Sequence, residues 1–95
     1  MIYLGVLDKK KLKEIIIPAY KNYRNAEYDL CNVKRALIDF LLINYDDPSK
    51  KLPDNPELYK LNICRYNKFK LESNNITDVI FIISIKTGKV YTLYK

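Results

Sequence analysis

Alternation of apolar and polar residues in the second half of the chain constrains the fold most strongly. Side chains of a β-strand change face at every residue, so the alternation over 57–71 predicts a strand with one buried face and one cationic face. The pattern weakens at Arg65 and Asn67, where we expect a bulge or a bend. The apolar set is Tyr59, Leu61, Ile63, Phe69 and Leu71, and the opposite set is Lys60, Asn62, Cys64, Tyr66, Lys68 and Lys70.

Two further strands follow this one. The segment 78–86 is apolar on both faces from Val79 to Ile85, which is typical of a central strand. Thr87 and Gly88 supply a tight turn, and 89–95 forms the final strand. We expect this last strand to be an exposed edge, which invites a homodimer or a partner's strand to pair with it.

The first half of the chain predicts one strand and two helices. Residues 2–7 form a short apolar strand, and Asp8 caps a helix that runs to about residue 24. Pro18 lies inside that helix and predicts a kink or a break near Ile17. Asn25 caps a second helix to about residue 45. Its core stripe is Leu30, Val33, Leu37, Phe40 and Leu41.

These elements give the order β-α-α-β-β-β in a single domain over residues 1–95. The predicted class is α+β, with a helical hairpin packed on a mostly antiparallel sheet of roughly three to four strands. Hydrophobic residues make up 48% of the chain and charged residues 29%, so it has the composition of a folded globular protein.

The net charge of +6 points to an anionic partner. Most of the 17 basic residues are Lys, which favours diffuse attraction to a phosphate backbone over base-specific readout. We therefore expect nucleic acid or a nucleic-acid-handling complex as partner, with an acidic protein and no charge-driven partner as alternatives. The lysines at 9, 10, 11 and 13 oppose the dipole of the first helix, which hints at a use for their charge, although a solvated helix face is the commoner explanation.

Several kinds of chemistry are excluded or disfavoured by the residues present. The chain has no His, 2 Gly and 2 Cys, which argues against a His-dependent nucleophile, a Gly-rich phosphate loop and a Cys/His metal site. Asp46 and Asp47 suit turn chemistry better than a cation. We therefore expect no metal and no cofactor. Cys31 and Cys64 are expected to be reduced, with a bridge between them as the alternative.

The apolar start of the chain lacks a preceding cationic segment, and the late apolar run 79–83 is too short to cross a bilayer. A cytoplasmic protein without a membrane partner is expected.

Lys, Arg and Tyr side chains remain as the candidate functional groups. Cations can stabilise charge that develops on a phosphate, and a phenol or an amine can move a proton, so phosphodiester cleavage needs neither His nor a metal in principle. Packing is nevertheless the more frequent role of any one Tyr. The candidate functional residues are Lys60, Arg65, Tyr66, Lys68, Lys70, Lys86, Lys89, Tyr91 and Tyr94.

Short motifs in the second half of the chain resemble those of the RelE/ParE toxin superfamily, which shares the β-α-α-β-β-β order. They are Asp47-Pro48, Leu58-Tyr59-Lys60-Leu61, Tyr66 and Lys89-Val90-Tyr91. The resemblance implies binding to RNA or the ribosome, mRNA cleavage and an antitoxin partner. It assigns phosphate or transition-state contacts to Lys60, Lys68 and Lys86, and proton transfer or stacking to Tyr91 or Tyr94. The resemblance thus implies Lys68, Lys86 and Tyr91 as candidate catalytic residues, and it leaves nucleic-acid binding to Lys60, Arg65, Tyr66, Lys70 and Lys89. Whether the chain is an enzyme stays open, because its Arg and His inventory is thin.

Two other functions stay open beside the toxin. One is a non-enzymatic inhibitor from a virus or mobile element, of the anti-CRISPR or anti-defence type, that binds a nucleic-acid-handling complex. The other is a plain nucleic-acid-binding module that uses the basic face of the sheet.

Overall fold

One antiparallel sheet runs through the computed structural model, which describes residues 1–22, 30–45, 55–73 and 76–93. Its strands are β1 (Ile2–Val6), β2 (Lys60–Cys64), β3 (Lys68–Ser73), β4 (Ile76–Ile83) and β5 (Lys89–Thr92). They lie in the order β1-β5-β4-β3-β2, with every neighbouring pair antiparallel. The apolar strand β4 is therefore central, as predicted.

The predicted α+β class is confirmed, and the sheet has five strands because the segment predicted as one strand over 57–71 forms the hairpin of β2 and β3. Residues 57 and 58 belong instead to a short 3-10 helix, Pro56–Leu58. Residues 65–67 form a turn in which Tyr66 and Asn67 adopt φ values of 62° and 59°. The turn keeps the predicted faces, since Ile63 lies directly opposite Phe69 across the hairpin. Tyr66 is the exception, because it lies in the turn and not on the polar face of a strand.

The first helix, α1, changes its winding just before Pro18. It has an α-helical turn Lys9–Lys11, a π-helical segment Leu12–Ile16 and an α-helical segment Ile17–Lys21. Proline has no N–H and crowds the preceding turn, so the usual bond from position 18 cannot form. The N–H of Ile17 instead bonds the carbonyl of Leu12, five residues back. The irregularity predicted near Ile17 is thus a π-helical segment.

The first helix begins where it was predicted to begin, and it ends at Lys21, about three residues earlier than predicted. The Asp8 carboxylate accepts a hydrogen bond of 3.4 Å from the Lys11 N–H, which is the predicted N-terminal cap. The second helix, α2, is Leu30–Asn44. The predicted Asn25 cap and the tight connection between the two helices lie outside the described residues, as do Asp46 and Asp47, where we predicted a turn.

Both helices cover the same face of the sheet and bury a single hydrophobic core. Val33, Leu37 and Leu41 of α2 are buried as predicted, and Phe40 is partly buried against them. The sheet contributes alternate residues of its inner strands, which pack against these helices: Phe69, Leu71, Val79, Phe81, Ile83 and Val90. No described helix covers the other face of the sheet, whose described side chains are exposed or half-buried.

The final strand is not an edge, so the predicted route to a homodimer through it is wrong. β5 lies between β4 and β1, because the apolar N-terminal segment pairs with it from Ile2↔Thr92 to Val6↔Lys89. The edges of the described sheet are β1 and β2. Residues 94 and 95, including the candidate Tyr94, lie outside the described residues.

Cys31 is exposed, Cys64 is half-buried, and both are free, so the alternative disulfide is not formed. No helix in the described ranges combines the length and the apolar character that a bilayer span requires.

Gly88 joins the β4–β5 turn to the end of β1, and its replacement tests the fold. It has φ +77°, and a Cβ there would lie 3.2 Å from the Leu7 carbonyl oxygen and 3.3 Å from Leu12 Cδ2. We expect Gly88→Ala to lower the free energy of unfolding by about 1–3 kcal/mol in urea denaturation. Lys86→Ala, an exposed change in the same turn, should alter it by no more than about 0.5 kcal/mol. Equal stability of the two variants would contradict this account of the turn.

Candidate nucleic-acid interface

The solvent-facing side of the sheet, called the outer face below, collects most of the predicted site residues. Side chains that pair directly across neighbouring strands point to the same side, so the strand register defines the face. Its described members are Tyr3, Val6, Lys60, Asn62, Cys64, Lys68, Lys70, Glu72, Asp78, Ile80, Ile82, Lys89 and Tyr91.

A row of side chains crosses the outer face from β1 to β2. It runs in register through Tyr3, Tyr91, Ile82, Lys68 and Cys64. The rings of Tyr3 and Tyr91 are 5.2 Å apart between centroids and tilted by 51°. Neighbouring strands are about 4.8 Å apart, so Lys68 lies roughly 10 Å from Tyr91 along the row. An aromatic pair and a lysine are thus close enough to contact neighbouring groups of one ligand.

Lys70 belongs to a polar network on the part of the outer face that β2, β3 and β4 form. Its Nζ is 3.1 Å from Glu72 Oε1 and 3.5 Å from Asp78 Oδ2. The Asn62 side-chain amide donates to Glu72 over 2.9 Å. The hydrogen bond and the charge of Glu72 raise the pKa of Lys70 above 10.5, with a smaller contribution from Asp78.

The network reduces the positive field of Lys70. Because the folded protein holds the Lys70 proton more tightly than the unfolded chain does, the interaction stabilises the fold below pH 10.5 and is lost as the pH rises through the raised pKa. Its two carboxylates also offset the charge that Lys70 could present to a polyanion. Lys60 faces one of these carboxylates, since it pairs in register with Glu72.

The remaining predicted cations gather at one end of the sheet, called the basic end below. The β2–β3 turn and the β4–β5 turn meet there, because the Ile83 N–H donates to the Asn67 carbonyl over 3.1 Å. The end of β1 joins them through a 2.8 Å bond from the Leu7 N–H to the Gly88 carbonyl. The basic end contains Arg65, Lys68, Lys86 and Lys89 from the two turns and the strands beside them. Lys9, Lys10 and Lys11 join them, because they follow the end of β1 in the chain.

These cations carry little compensating negative charge. Within the described ranges none of them forms an ion pair, in contrast to Lys70. Asp8 directly precedes the lysines at 9–11, and its carboxylate accepts a hydrogen bond from the Lys11 N–H. The structure thus separates Lys68, Lys86, Lys89, Arg65 and Tyr66 from Lys60 and Lys70. Tyr91 lies on the outer face next to the first group.

Tyr3 is a feature of this face that sequence reasoning missed. It lies in the N-terminal strand, and only the pairing of β1 with β5 brings it beside Tyr91. The lysines at 9–11 are unfavourably placed for the helix dipole, and the same pairing brings them to the basic end. No signal in the sequence reveals either neighbour, because both contacts join opposite ends of the chain.

Tyr66 stands out as an exposed ring on a costly backbone. Its φ of 62° lies in the left-handed region, which disfavours residues with a Cβ, and its side chain is 86% exposed. Asn67, at φ 59°, tolerates this region better. Backbone strain of this kind concentrates at functional positions, so Tyr66 becomes a stronger candidate for contact with a ligand.

Comparison of the chain with protein-family models, with curated proteins and with solved structures finds no match in any of the three. The resemblance to RelE/ParE toxins therefore stays a prediction. Among the described residues, no group of three or more His, Cys, Asp and Glu side chains could hold a metal ion.

The strain at Tyr66 predicts an unusual order of stabilities. Tyr66→Gly removes the Cβ and should be more stable than Tyr66→Ala by about 1 kcal/mol in urea denaturation, because only alanine retains the left-handed penalty. Both variants lack the ring, so the comparison isolates the backbone. An alanine variant as stable as the glycine variant would show that this turn is not strained.

Proposed function

We propose that the protein binds single-stranded RNA across the outer face and the basic end. The observation that carries the proposal is the grouping of Arg65, Lys68, Lys86 and Lys89, without ion pairs in the described ranges, beside two exposed rings. These rings are Tyr3 on the outer face and Tyr66 in the β2–β3 turn. Cations that track a backbone and rings that stack on bases are the two parts of a single-strand site.

The choice of single strands rests on the shape and chemistry of this surface. A sheet face with exposed rings can stack on unpaired bases, whereas bases in a duplex have their faces covered. Tyr66 is the most exposed of the described rings, and Tyr3 is 52% exposed beside Tyr91. Lysines supply attraction with little sequence readout, so the affinity should fall steeply as salt rises.

The RelE/ParE resemblance extends this proposal to mRNA on the ribosome in the cytoplasm, with an antitoxin as the natural partner. Lys68 and Lys86 would then contact phosphate, and Tyr91 would move a proton or stack. In the described part of the chain, no side chain forms a hydrogen bond to the Tyr91 hydroxyl that could receive its proton. Binding is therefore better supported than cleavage, and cleavage stays a prediction.

A second candidate function is the inhibitor that docks on a protein, and the edge strand β1 favours it. Residues 1–7 carry no charged side chain, and within them Tyr3 is 52% and Val6 55% exposed. Gly5 packs against Phe40 and Asn44 at the end of α2, where the neighbouring Ile43 is 80% exposed. An uncharged edge beside an exposed apolar side chain suits a partner's strand better than a polyanion.

The RNA proposal predicts which lysines matter. Lys68→Ala, Lys86→Ala and Lys89→Ala should each weaken binding of a short single-stranded RNA in fluorescence anisotropy. Each should also reduce the slope of log affinity against log salt by about 0.7 for every phosphate that the variant no longer neutralises. Tyr66→Ala should cost about 1–3 kcal/mol of binding free energy, because the ring can no longer stack on a base.

Arg35→Ala is the matched control, because it removes one positive charge from α2 on the opposite side of the sheet. It should leave the salt slope unchanged. RNA affinity that is insensitive to salt, or equally reduced by all four charge changes, would refute the proposed surface.

The inhibitor function predicts a different sensitivity. Val6→Lys and Ile43→Lys place charges on exposed apolar positions, so they should preserve folding and abolish inhibition of a CRISPR nuclease in a plasmid-interference assay. Lys89→Ala serves as the control and should retain inhibition. Full inhibition by the Val6→Lys, Ile43→Lys double variant would eliminate β1 as the docking edge.

A further inference from the structure

A groove lies where the end of α1 meets the two turns of the basic end. It has a volume of about 460 Å³, within the range of roughly 300–1,000 Å³ that is usual for small-ligand sites. Ile17 and Tyr20 of α1 form one wall, and Ile85 of the β4–β5 turn lies on the other side. These side chains are half-buried, so the interior is largely apolar.

The position of the Tyr20 ring is set by contacts on two sides. Its hydroxyl accepts a 3.3 Å hydrogen bond from the Asn67 N–H, and its ring centroid is 6.2 Å from that of the buried Phe69. The wall is therefore attached both to the core and to the strained β2–β3 turn. Because these contacts already fix the Tyr20 ring, a ligand does not lose binding free energy by ordering it.

The rim of the groove is cationic. Lys21 and Lys86 are exposed at its mouth, and none of the described residues that line it carries a carboxylate. Within the described ranges neither lysine forms an ion pair. A ligand for this groove should therefore carry a negative group at one end and a flat or apolar body at the other.

Two polar side chains in the groove, Asn67 and Ser84, narrow the choice of ligand. In the described part of the chain the Asn67 side-chain amide has no hydrogen-bond partner, so its donor and acceptor are available. The Ser84 hydroxyl oxygen accepts from the Thr87 N–H over 3.2 Å, which leaves its own proton free to donate. This amide and hydroxyl lie beside apolar walls and can form hydrogen bonds with the edge of a nucleobase, whereas an alkyl chain would leave both groups without a partner.

We infer that this groove holds one unstacked nucleotide, with its base against Ile17, Tyr20 and Ile85 and its 5′-phosphate between Lys21 and Lys86. The inference rests on the proposed RNA binding and deepens it. The groove shares Lys86 and Asn67 with the basic end, so a strand that crosses the outer face could place one nucleotide in it.

The test uses uridine 5′-monophosphate and the intact protein, followed by NMR. Saturable shifts are expected at the Ile17 and Ile85 methyls and at the Asn67 side-chain amide. Lys21→Ala and Lys86→Ala should each weaken the mononucleotide about five- to tenfold, since each removes a charge-assisted contact to phosphate. Lys13→Ala is the matched control, because it removes an exposed lysine of α1 that does not line the groove.

A further variant separates base recognition from folding. Asn67→Gly suits the left-handed backbone of the turn and retains the N–H that bonds Tyr20, so it should fold. It should bind inorganic phosphate as the natural protein does and uridine monophosphate more weakly. Equal weakening of both ligands would overturn the role of the amide in holding a base.

Two other probes define what would overturn the inference. Octanoate presents a carboxylate on an alkyl chain, and tighter binding of octanoate than of the nucleotide would identify an amphipathic-acid site instead. Shifts confined to the lysines, with none at the Ile17 and Ile85 methyls, would show adsorption of phosphate only. Each result would reject the nucleotide groove.

The groove and the proposed RNA surface fail separately. RNA binding that depends on Lys68 and Lys89, without any mononucleotide shift at the groove, would reject the groove and retain the RNA surface. Absence of salt-dependent RNA binding would reject the RNA surface itself, together with the inference that rests on it.

Discussion

Antiparallel pairing of β1 with β5 is the interaction on which the arrangement of the whole surface depends. It joins the first residues of the chain to the last described strand, through pairs from Ile2↔Thr92 to Val6↔Lys89. The pairing turns β5 into an inner strand and places Tyr3 beside Tyr91. Next to this pairing, the Leu7 N–H bonds the Gly88 carbonyl, so α1 starts at the same end of the sheet as the β2–β3 and β4–β5 turns. Without it, the cations of the N-terminal helix and those of the hairpins would be unrelated in space.

Charge is unevenly distributed over the resulting sheet. Two carboxylates, Glu72 and Asp78, bind Lys70 on one part of the outer face, so that part presents a mixed and nearly balanced surface. The basic end lacks such partners among the described residues, and its lysines reinforce one another's field. Like charges held together destabilise a fold slightly, which makes their accumulation more informative than the net charge of +6. The same separation leaves the uncharged strand β1 as a surface of different character.

Two departures from regular backbone lie beside the groove and the basic end. The π-helical segment immediately precedes the α-helical segment Ile17–Lys21, which carries Tyr20 and Lys21 of the groove. The β2–β3 turn holds Tyr66 and Asn67 at positive φ, and Asn67 is tied to the Tyr20 hydroxyl. Irregular winding and left-handed residues cost free energy, and both occur frequently where proteins bind ligands. Their meeting at one groove connects the helical layer to the proposed RNA surface.

Periodicity in the sequence determined the class of fold, the apolar centre of β4, the cap at Asp8 and the division of 60–71 into a buried and a polar face. These features depend on neighbours a few residues apart, and local spacing controls them. The number of strands was not determined, because Ile63 and Phe69 share a face both in one long strand and across a hairpin. Tertiary structure alone decided that β5 is internal, that Asp78 of β4 pairs with Lys70 of β3, and that Lys86 and Lys21 border one groove. Each of these contacts joins residues that local spacing does not relate, and the free energy that selects them comes from burying a common core, which no local pattern records.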